Sequence, residues 1–488
     1  MWIGIGRIQN ETSPLHRLPC DLLQEIFHHT CSSEQRKASR SAVTLSHVCT
    51  QWRVILLSTP QFWCNVMVDG REPSFVATCL ARSGDLPLDV TVQFNYAATP
   101  YEYENDPGPE SKFRVLENED VRWRLDECRE GLTLLVVQRD RIHRLYVNYI
   151  ILGSDWIEGS VPEHEFFSYG LKNLRELWWY YDDEREIWSL PSRFFGGSLE
   201  SLRHLRLENV DMSMGWIQSL TSLECIATGD STHHTFMPDG MPEFFRRNGS
   251  LQSLKISGYY IYEADSPKIY MDNLISLTLD SISHSCLLLD FLQIKNLDGG
   301  TFTTISLSGG WGVWLTAVNS VGFSFTAAVS PDENPQEDEF IRRYFSRATL
   351  VRLEDFQIIF HVERLLSILR ILGDSGGDMG RLELHVETEY LDTDTQIAIY
   401  AKPFLPRLGT LVVYLAEWAE PWGWVEVMVE DLFDPDHDAR FPDECIFEVY
   451  YFDSGLFLST NMGELRAGFE GGGSYNSLIS RSQQSPPT

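Results

Sequence analysis

Hydrophobic residues recur at helical spacing within the first sixty positions of the chain. The apolar residues that follow Pro19 fall on one helix face: Leu22, Leu23, Ile26 and Phe27. Pro19 itself suits the first turn of a helix. A polar connector, CSSEQRKASRS, separates this face from a second apolar run. We therefore predict two or three short helices over residues 14–60.

The second apolar run is LSHVCTQWRVILLSTPQFW, residues 45–63. At about 100° per residue, six of its positions fall within roughly 120° of arc: Leu45, Val48, Cys49, Trp52, Ile55 and Leu56. Thr50 could instead cap a separate helix, and Ser58–Thr59–Pro60 ends the pattern. A unit of roughly 50 residues supports only a marginal core, so this apolar surplus predicts a contact with a partner helix or with the following domain.

Strand-like patterns begin further along the chain. Residues 74–82 have helical spacing, Ser83–Gly84 breaks it, and Leu88, Val90 and Val92 alternate as in a strand. The proline-bearing segment 101–110 is typical of a loop.

Leucines then repeat in the pattern LxxLxxLxLxx followed by an aliphatic residue. The clearest copies are LESLRHLRLENV (199–210) and MDNLISLTLDSI (271–282), and weaker copies begin at 171, 220, 251, 350, 381 and 405. The leucines at one equivalent position of the pattern are residues 174, 202, 223, 254 and 274, and their spacings are 28, 21, 31 and 20 residues. Such periods are close to those of leucine-rich repeats.

The repeat is irregular. The two clearest copies have Val210 and Ile282 at the position where leucine-rich repeats usually have asparagine or cysteine. The pattern is also obscured around 283–345, where an acidic loop at 331–339 intervenes. We predict an α/β fold in which a small helical region precedes an irregular leucine-rich-repeat-like solenoid; a non-repetitive α/β domain is the alternative. The Gly/Ser/Gln/Pro-rich tail, 471–488, is typical of disorder.

Composition limits the partners. The 488 residues carry a formal net charge of −31, which argues against nucleic acid or an anionic membrane surface. Residues 1–70 differ, with six basic and five acidic side chains. The nine irregularly spaced cysteines suggest a reducing compartment, and neither a signal peptide nor a transmembrane run is evident. We expect a cytoplasmic or nuclear protein.

Catalytic and metal-binding motifs are weak. GDSGG, 373–377, resembles the nucleophile-serine motif of trypsin-like proteases, but the segment before Ser375 has helical periodicity where a hydrolase needs a strand. Asp434, Asp436 and Asp438 begin like a calcium loop that lacks its glycine and final glutamate. The His28–His29 and His233–His234 pairs lack ligand spacing. We predict no catalytic residue, metal or cofactor, with a serine hydrolase at Ser375 as a remote alternative.

Three aromatic clusters follow repeat strands: Trp178–Tyr181, Tyr259–Tyr262 and Trp418–Trp424. Consecutive residues of a strand point to opposite faces, so we expect part of each cluster to face outward, where it could bind a partner. Packing between repeats is the alternative.

Two motifs resemble a known family. LPCDLLQEIF (18–27), followed by the valine-cysteine-x-x-tryptophan-arginine signature at 48–53, resembles the F-box. CLARSGDLPLDVTV (79–92) is similar to the element that follows the F-box in large families of mushroom-forming fungi. The resemblance covers about 50 residues and implies domains at 14–63 (F-box), 64–110 (linker and first strand-containing unit) and 111–470 (repeat-like recognition domain), after an extension at 1–13.

The resemblance implies the substrate receptor of a Skp–cullin–F-box ubiquitin ligase, which binds a Skp adaptor and, through it, cullin and a RING protein. Such a subunit performs no chemistry and holds an unknown protein substrate near the transfer site. The residues that the resemblance places at the adaptor are Leu18, Pro19, Leu22, Leu23, Ile26, Leu45, Val48, Cys49 and Trp52. Phe62 and Trp63 would anchor the F-box to the repeat domain. An F-box protein that acts outside the ligase, as a scaffold or regulator, is the alternative.

Overall fold

The computed structural model describes residues 14–32, 38–70, 72–95, 118–150, 165–182, 188–190, 194–197, 199–212, 217–226, 241–257, 268–279, 292–298, 300–308, 313–330, 334–354, 362–374, 380–386, 408–415, 444–451 and 455–464. The chain divides into two units, Met1–Asn248 and Gly249–Thr488. The predicted boundaries at residues 63 and 110 do not coincide with this division.

Three α-helices open the first unit, preceded and followed by 3-10 turns at Pro14–Arg17 and Pro60–Trp63. They are α1 (Cys20–Ser32), α2 (Ala38–Ser46) and α3 (Thr50–Ser58). The run from Leu45 to Leu56 is therefore not one continuous helix. The backbone is extended at Cys49, whose Sγ accepts a hydrogen bond from the Trp52 amide at 3.4 Å and so caps α3.

The remainder of the first unit alternates strands with helices and loops. Its elements are β1 (Asn65–Val68), α4 (Pro73–Arg82), β2 (Leu88–Asn95), α5 (Asn118–Val136), β3 (Ile142–Ile150), β4 (Glu176–Asp182), β5 (Trp188–Leu190), β6 (His204–Glu208), β7 (Val210–Met212), β8 (Ser222–Ile226) and α6 (Met241–Arg247). The strands lie side by side in the order β1-β2-β3-β4-β6-β8, and each strand is parallel to its neighbours. β5 and β7 form a separate parallel pair.

Equivalent leucines of successive strands form rows in the core. Leu177, Leu205 and Leu223 are register partners on β4, β6 and β8, and all three are buried. Burial alternates with partial exposure along β6 and β8, as the repeated LxL pattern predicts. Because each strand lies about 4.8 Å from the next, the strand leucines stack in a continuous apolar layer.

Asparagine side chains join successive turns of the chain at a position that the sequence analysis did not consider. Asn173, Asn273 and Asn296 each lie directly before a leucine, in LKNL (171–174), MDNL (271–274) and IKNL (294–297). Their Nδ2 atoms donate to the backbone carbonyls of Asp140, Gly249 and Leu274 at 2.6, 2.7 and 2.7 Å, respectively. Each amide therefore satisfies a carbonyl group of an earlier turn.

The second unit contains β9 (Ser253–Ser257), β10 (Ile269–Tyr270), β11 (Ser276–Leu279), β12 (Leu292–Gln293), α7 (Lys295–Asp298), β13 (Phe302–Ser308), β14 (Val313–Asn319), β15 (Ser324–Val329), α8 (Pro335–Phe345), β16 (Leu350–Glu354), α9 (Val362–Asp374), β17 (Arg381–Val386), β18 (Thr410–Leu415), β19 (Ile446–Tyr451) and β20 (Gly455–Asn461). Its sheet order is β9-β11-β15-β14-β13-β16-β17-β18-β19-β20. The pairs β13–β14, β14–β15 and β19–β20 are antiparallel, and the other described pairs of this sheet are parallel. β10 and β12 pair separately.

The acidic segment 331–339 is not wholly a loop, in contrast to the prediction. α8 begins at Pro335, and the Asn334 side chain accepts a hydrogen bond from the Gln336 amide at 3.0 Å. Glu337 and Asp338 lie in the first turn, where the helix dipole favours negative charge. Residues 334–339, which we interpreted as part of an acidic loop, therefore form the start of a helix.

Both units have the predicted α/β class, and the structure adds that their described strand pairs are mostly parallel. None of the helices within the described ranges is long and apolar enough to cross a membrane. The segment 101–110, the tail 471–488, and the aromatic clusters at 259–262 and 418–424 lie outside the described residues.

Candidate functional site

The three N-terminal helices enclose a small core of their own. Leu23, Phe27 and Cys31 are spaced four residues apart on α1 and are buried. The Phe27 ring centroid lies 4.9 Å from that of Trp52 on α3 and 6.4 Å from that of Phe62, both edge-to-face. The core of this region is thus filled by its own side chains.

A second apolar row on α1 is left uncovered. Leu22 and Ile26 are 52% and 44% exposed, and residues four apart on a helix are neighbours on its surface. Val48, in the turn between α2 and α3, is 56% exposed. Exposed apolar side chains that occur singly need no explanation, whereas a group of them marks an interaction surface.

The other residues that the resemblance assigns to the adaptor vary in exposure. Pro19 is exposed, and the partly exposed members are Leu18, Leu45, Cys49 and Trp52. Leu23 differs from all of these because it is only 1% exposed. Its side chain is part of the helical core, so it cannot contact a partner in this conformation. Its role is to pack α1 against that core.

Two further apolar residues are exposed in this region and were not among the predicted residues. Leu15 lies in the 3-10 turn before α1, and Val54 lies on α3 at 62% exposure. Val54 directly precedes the buried pair Ile55 and Leu56 on α3, but it lies about 100° and 200° from them around the helix. Its spacing therefore places it outside the apolar arc.

Phe62 and Trp63 are both buried, and they contact different elements. Phe62 packs on α1 through Phe27 and through His28, whose ring centroid is 4.5 Å away. Trp63 donates from Nε1 to the Leu56 carbonyl at 2.9 Å, and the Arg82 guanidinium on α4 lies 4.6 Å from its ring centroid. Trp63 therefore contacts both the helical region and the element that follows β1.

The face of the first unit's sheet that points away from the leucine rows carries polar and aromatic side chains. Of the cluster on β4, Trp179 and Tyr181 are buried, Tyr180 is partly exposed and Trp178 is 37% exposed. The predicted outward placement of part of this cluster is thereby confirmed. One row across the strands consists of the register partners Thr91, Tyr146, Trp178, Arg206 and Glu224.

Ion pairs organise the charges on this face. Arg144 forms two hydrogen bonds to the Asp89 carboxylate, one of them at 2.7 Å. Burial raises the pKa of the neighbouring Tyr146 hydroxyl above its ordinary value; Arg144 acts in the opposite direction, and the Glu176 and Asp89 carboxylates add to the increase. Tyr146 is therefore a neutral phenol at physiological pH.

Catalytic and metal chemistry has little support in the described structure. No group of three or more His, Cys, Asp or Glu within the described ranges is arranged to hold a metal ion. Ser375, Asp434, Asp436, Asp438 and His233–His234 lie outside those ranges. The element that leads to Ser375 is helix α9, which extends to Asp374, rather than the strand that a nucleophile elbow requires.

No family model matches the chain, and no curated protein matches it either. The F-box resemblance therefore rests on the quoted motifs alone.

Proposed function

We propose that this chain is the substrate-recognition subunit of a Skp–cullin–F-box ubiquitin ligase. The observation that carries the proposal is the uncovered row Leu22–Ile26 on a helix whose adjacent row, Leu23–Phe27, already fills the core. Burial of one such side chain in a complex contributes about 1.5–3 kcal/mol. A partner that covers the row together with Val48 would gain several such contributions.

The proposed adaptor surface consists of the predicted residues other than Leu23. Leu22, Ile26 and Val48 are its most exposed aliphatic members, Leu18, Leu45, Cys49 and Trp52 are partly exposed, and Pro19 is exposed. Leu15 and Val54 are added to it because they are exposed on the same helical region. The subunit itself supplies proximity, since it holds a substrate lysine near the charged conjugating enzyme.

The strands that follow the helical region would then serve recognition. We interpret them as irregular leucine-rich repeats, an interpretation supported by the stacked leucines and by the asparagine bridges between turns. A cytoplasmic or nuclear location agrees with the eight described cysteines, which form no disulfide with one another.

Capture of purified Skp adaptor by the full-length chain tests the adaptor surface. We expect the double variant Leu22→Asp, Ile26→Asp to weaken binding by about 100-fold or more, because it buries two carboxylates in an apolar contact. Val321→Asp is the matched control, since Val321 is an exposed apolar residue of the second unit. Equal binding of the adaptor by the double variant and the wild-type chain would show that Leu22 and Ile26 are not part of the adaptor interface.

Co-purification from cells separates the ligase from its alternatives. Recovery of adaptor together with cullin supports a ligase subunit, and recovery of adaptor without cullin supports a scaffold or regulator outside the ligase. Labelling by a serine-directed active-site probe that is lost in Ser375→Ala would instead support the hydrolase.

A further inference from the structure

A pocket of about 250 Å³ opens on the outward face of the first unit's sheet, over β2, β3, β4 and β6. Its side chains come from segments far apart in sequence, and they include Thr91, Tyr146, Asn148, Trp178, Arg206 and Glu208. Pockets for drug-sized ligands usually measure about 300–1,000 Å³. This one has room for a single large side chain.

Aromatic rings form one wall of the pocket. Tyr146 meets Trp178 edge-to-face, with 4.9 Å between ring centroids and an interplanar angle of 81°. The Arg206 guanidinium lies 5.5 Å from the Trp178 ring centroid. Because Trp178 is held on both sides and still exposed, it offers a fixed aromatic surface to a ligand.

Two acceptor atoms that lack a hydrogen-bond donor among the described residues lie in the lining of the pocket and beside it. The Oδ1 atom of Asn148 is buried and has no hydrogen-bond partner in the described structure, a state that costs free energy unless a donor arrives. Glu208 accepts a hydrogen bond from Arg206 at 3.3 Å. Glu224 Oε2 lies 3.1 Å from Arg206 but makes no aligned hydrogen bond, so it retains capacity to accept one.

Two charged side chains, Arg206 and Glu208, line the pocket, and Glu224 and the Arg144–Asp89 pair lie beside it. Arg206 stands between two carboxylates, Glu208 and Glu224, and the Arg144–Asp89 pair beside it is neutral as a pair. These five groups therefore sum to one negative charge, and the chain as a whole carries −31. An anionic ligand would have to compete with Glu208 and Glu224 for Arg206.

We propose that this pocket binds a cationic side chain, lysine or arginine, presented by an extended peptide segment of a partner protein. The cation would lie beside Trp178, the aromatic side chain best suited to it, and would donate to Asn148 Oδ1 and to Glu208, whose carboxylate also offsets the positive charge of Arg206. That the partner is a ubiquitination substrate rests on the proposed function, whereas the binding itself does not.

Saturation-transfer NMR with the full-length chain tests the ligand class. The probes are N-acetyl-arginine amide, N-acetyl-lysine amide, N-acetyl-citrulline amide and N-acetyl-glutamate amide. We expect transfer to arginine or lysine that exceeds transfer to citrulline, the uncharged analogue of arginine, by about fivefold to tenfold. Equal transfer to citrulline, or stronger transfer to glutamate, would overturn the proposal.

Two variants locate the binding in this pocket. Glu208→Gln keeps the shape of the side chain and removes its charge, so we expect arginine binding to weaken about fivefold to tenfold. Glu130→Gln removes the same charge from an exposed position on α5 and should leave binding unchanged. If both variants weaken binding equally, the effect is one of net charge and the pocket assignment fails.

Adaptor capture with the same proteins distinguishes this inference from the proposed function. Glu208→Gln should capture Skp adaptor as well as the wild-type chain does. Arginine binding without adaptor binding would leave the pocket intact and refute the ligase function. Adaptor binding without arginine or lysine binding would leave the proposed function intact and refute the pocket assignment.

Discussion

The N-terminal helices and the parallel strands bury their apolar residues to different extents. On α1, two apolar rows lie side by side, and only the row of Leu23 and Phe27 is buried, while Leu22 and Ile26 face solvent. On β6, Leu205 and Leu207 are both buried, and Arg206 between them carries the polar contacts. The strands thus bury their apolar residues without a partner, and their outward face carries polar, charged and aromatic side chains. The helices leave apolar side chains exposed on their outward face.

Leucine truncation measures this difference most directly. Leu205→Ala should reduce the free energy of unfolding by about 2–5 kcal/mol, because it leaves a cavity in a packed layer. Leu22→Ala, at an exposed position, should stay within about 0.5 kcal/mol of wild type. Urea denaturation of the full chain compares the two. Similar losses for both variants would mean that the α1 row is covered within the free protein.

The second prediction concerns the charged residues of the strand region. Burial tends to raise the pKa of Glu383, but hydrogen bonds from Arg381 and Arg352, each at 2.6 Å, outweigh it and hold the pKa below its ordinary value. A carboxyl group with a lowered folded-state pKa stabilises the protein above its unfolded-state pKa. This contribution is lost as pH falls through the folded-state pKa.

Glu383→Gln should therefore cost about 1–3 kcal/mol at pH 7 and flatten the acid limb of the stability curve below pH ~4.5. Urea denaturation at a series of pH values measures both effects. The control is Glu339→Gln, which breaks a largely exposed ion pair with Arg342 and should change stability by less than about 1 kcal/mol. An unchanged acid limb in Glu383→Gln would show that the arginines do not hold this carboxylate.

The smallest expected effect tests the start of α3. Serine is a better N-cap than cysteine, so Cys49→Ser should raise stability by up to about 1 kcal/mol. The control is Cys64→Ser, at a partly buried cysteine that caps no α-helix. Thermal melts of the full chain compare the variants. A loss of stability in Cys49→Ser would indicate that the cysteine is needed for packing more than for capping.

Local patterns were sufficient where one signal dominated. The alternation of Leu88, Val90 and Val92 predicted β2, and Ser58–Thr59–Pro60 predicted the end of α3. Periodicity did not reveal which of the rows led by Leu22 and Leu23 would be buried, since both lie on one broad apolar face. That outcome depends on where α3 places Trp52, a contact across 25 residues.

The pocket on the first unit's sheet also depends on contacts between distant segments, so the sequence did not predict it. Asn148, Trp178 and Glu208 become neighbours through the register of β3, β4 and β6. No single strand contains more than part of the set, and the segments between the strands vary in length. Only the outward placement of part of the Trp178–Tyr181 cluster followed from the sequence, because a strand must point consecutive aromatics to opposite faces.

The Pro60–Trp63 turn limits how this protein can be divided. Ser39 on α2 donates to the Phe62 carbonyl at 3.2 Å, Arg40 pairs with Asp69 at 2.8 Å, and Trp63 lies under Arg82. A fragment that ends at residue 63 would lose the last two contacts and expose a tryptophan. The helical region is therefore not a cassette that can be exchanged between proteins at its sequence boundary. A transplant that preserves its fold must carry β1 and α4 with it.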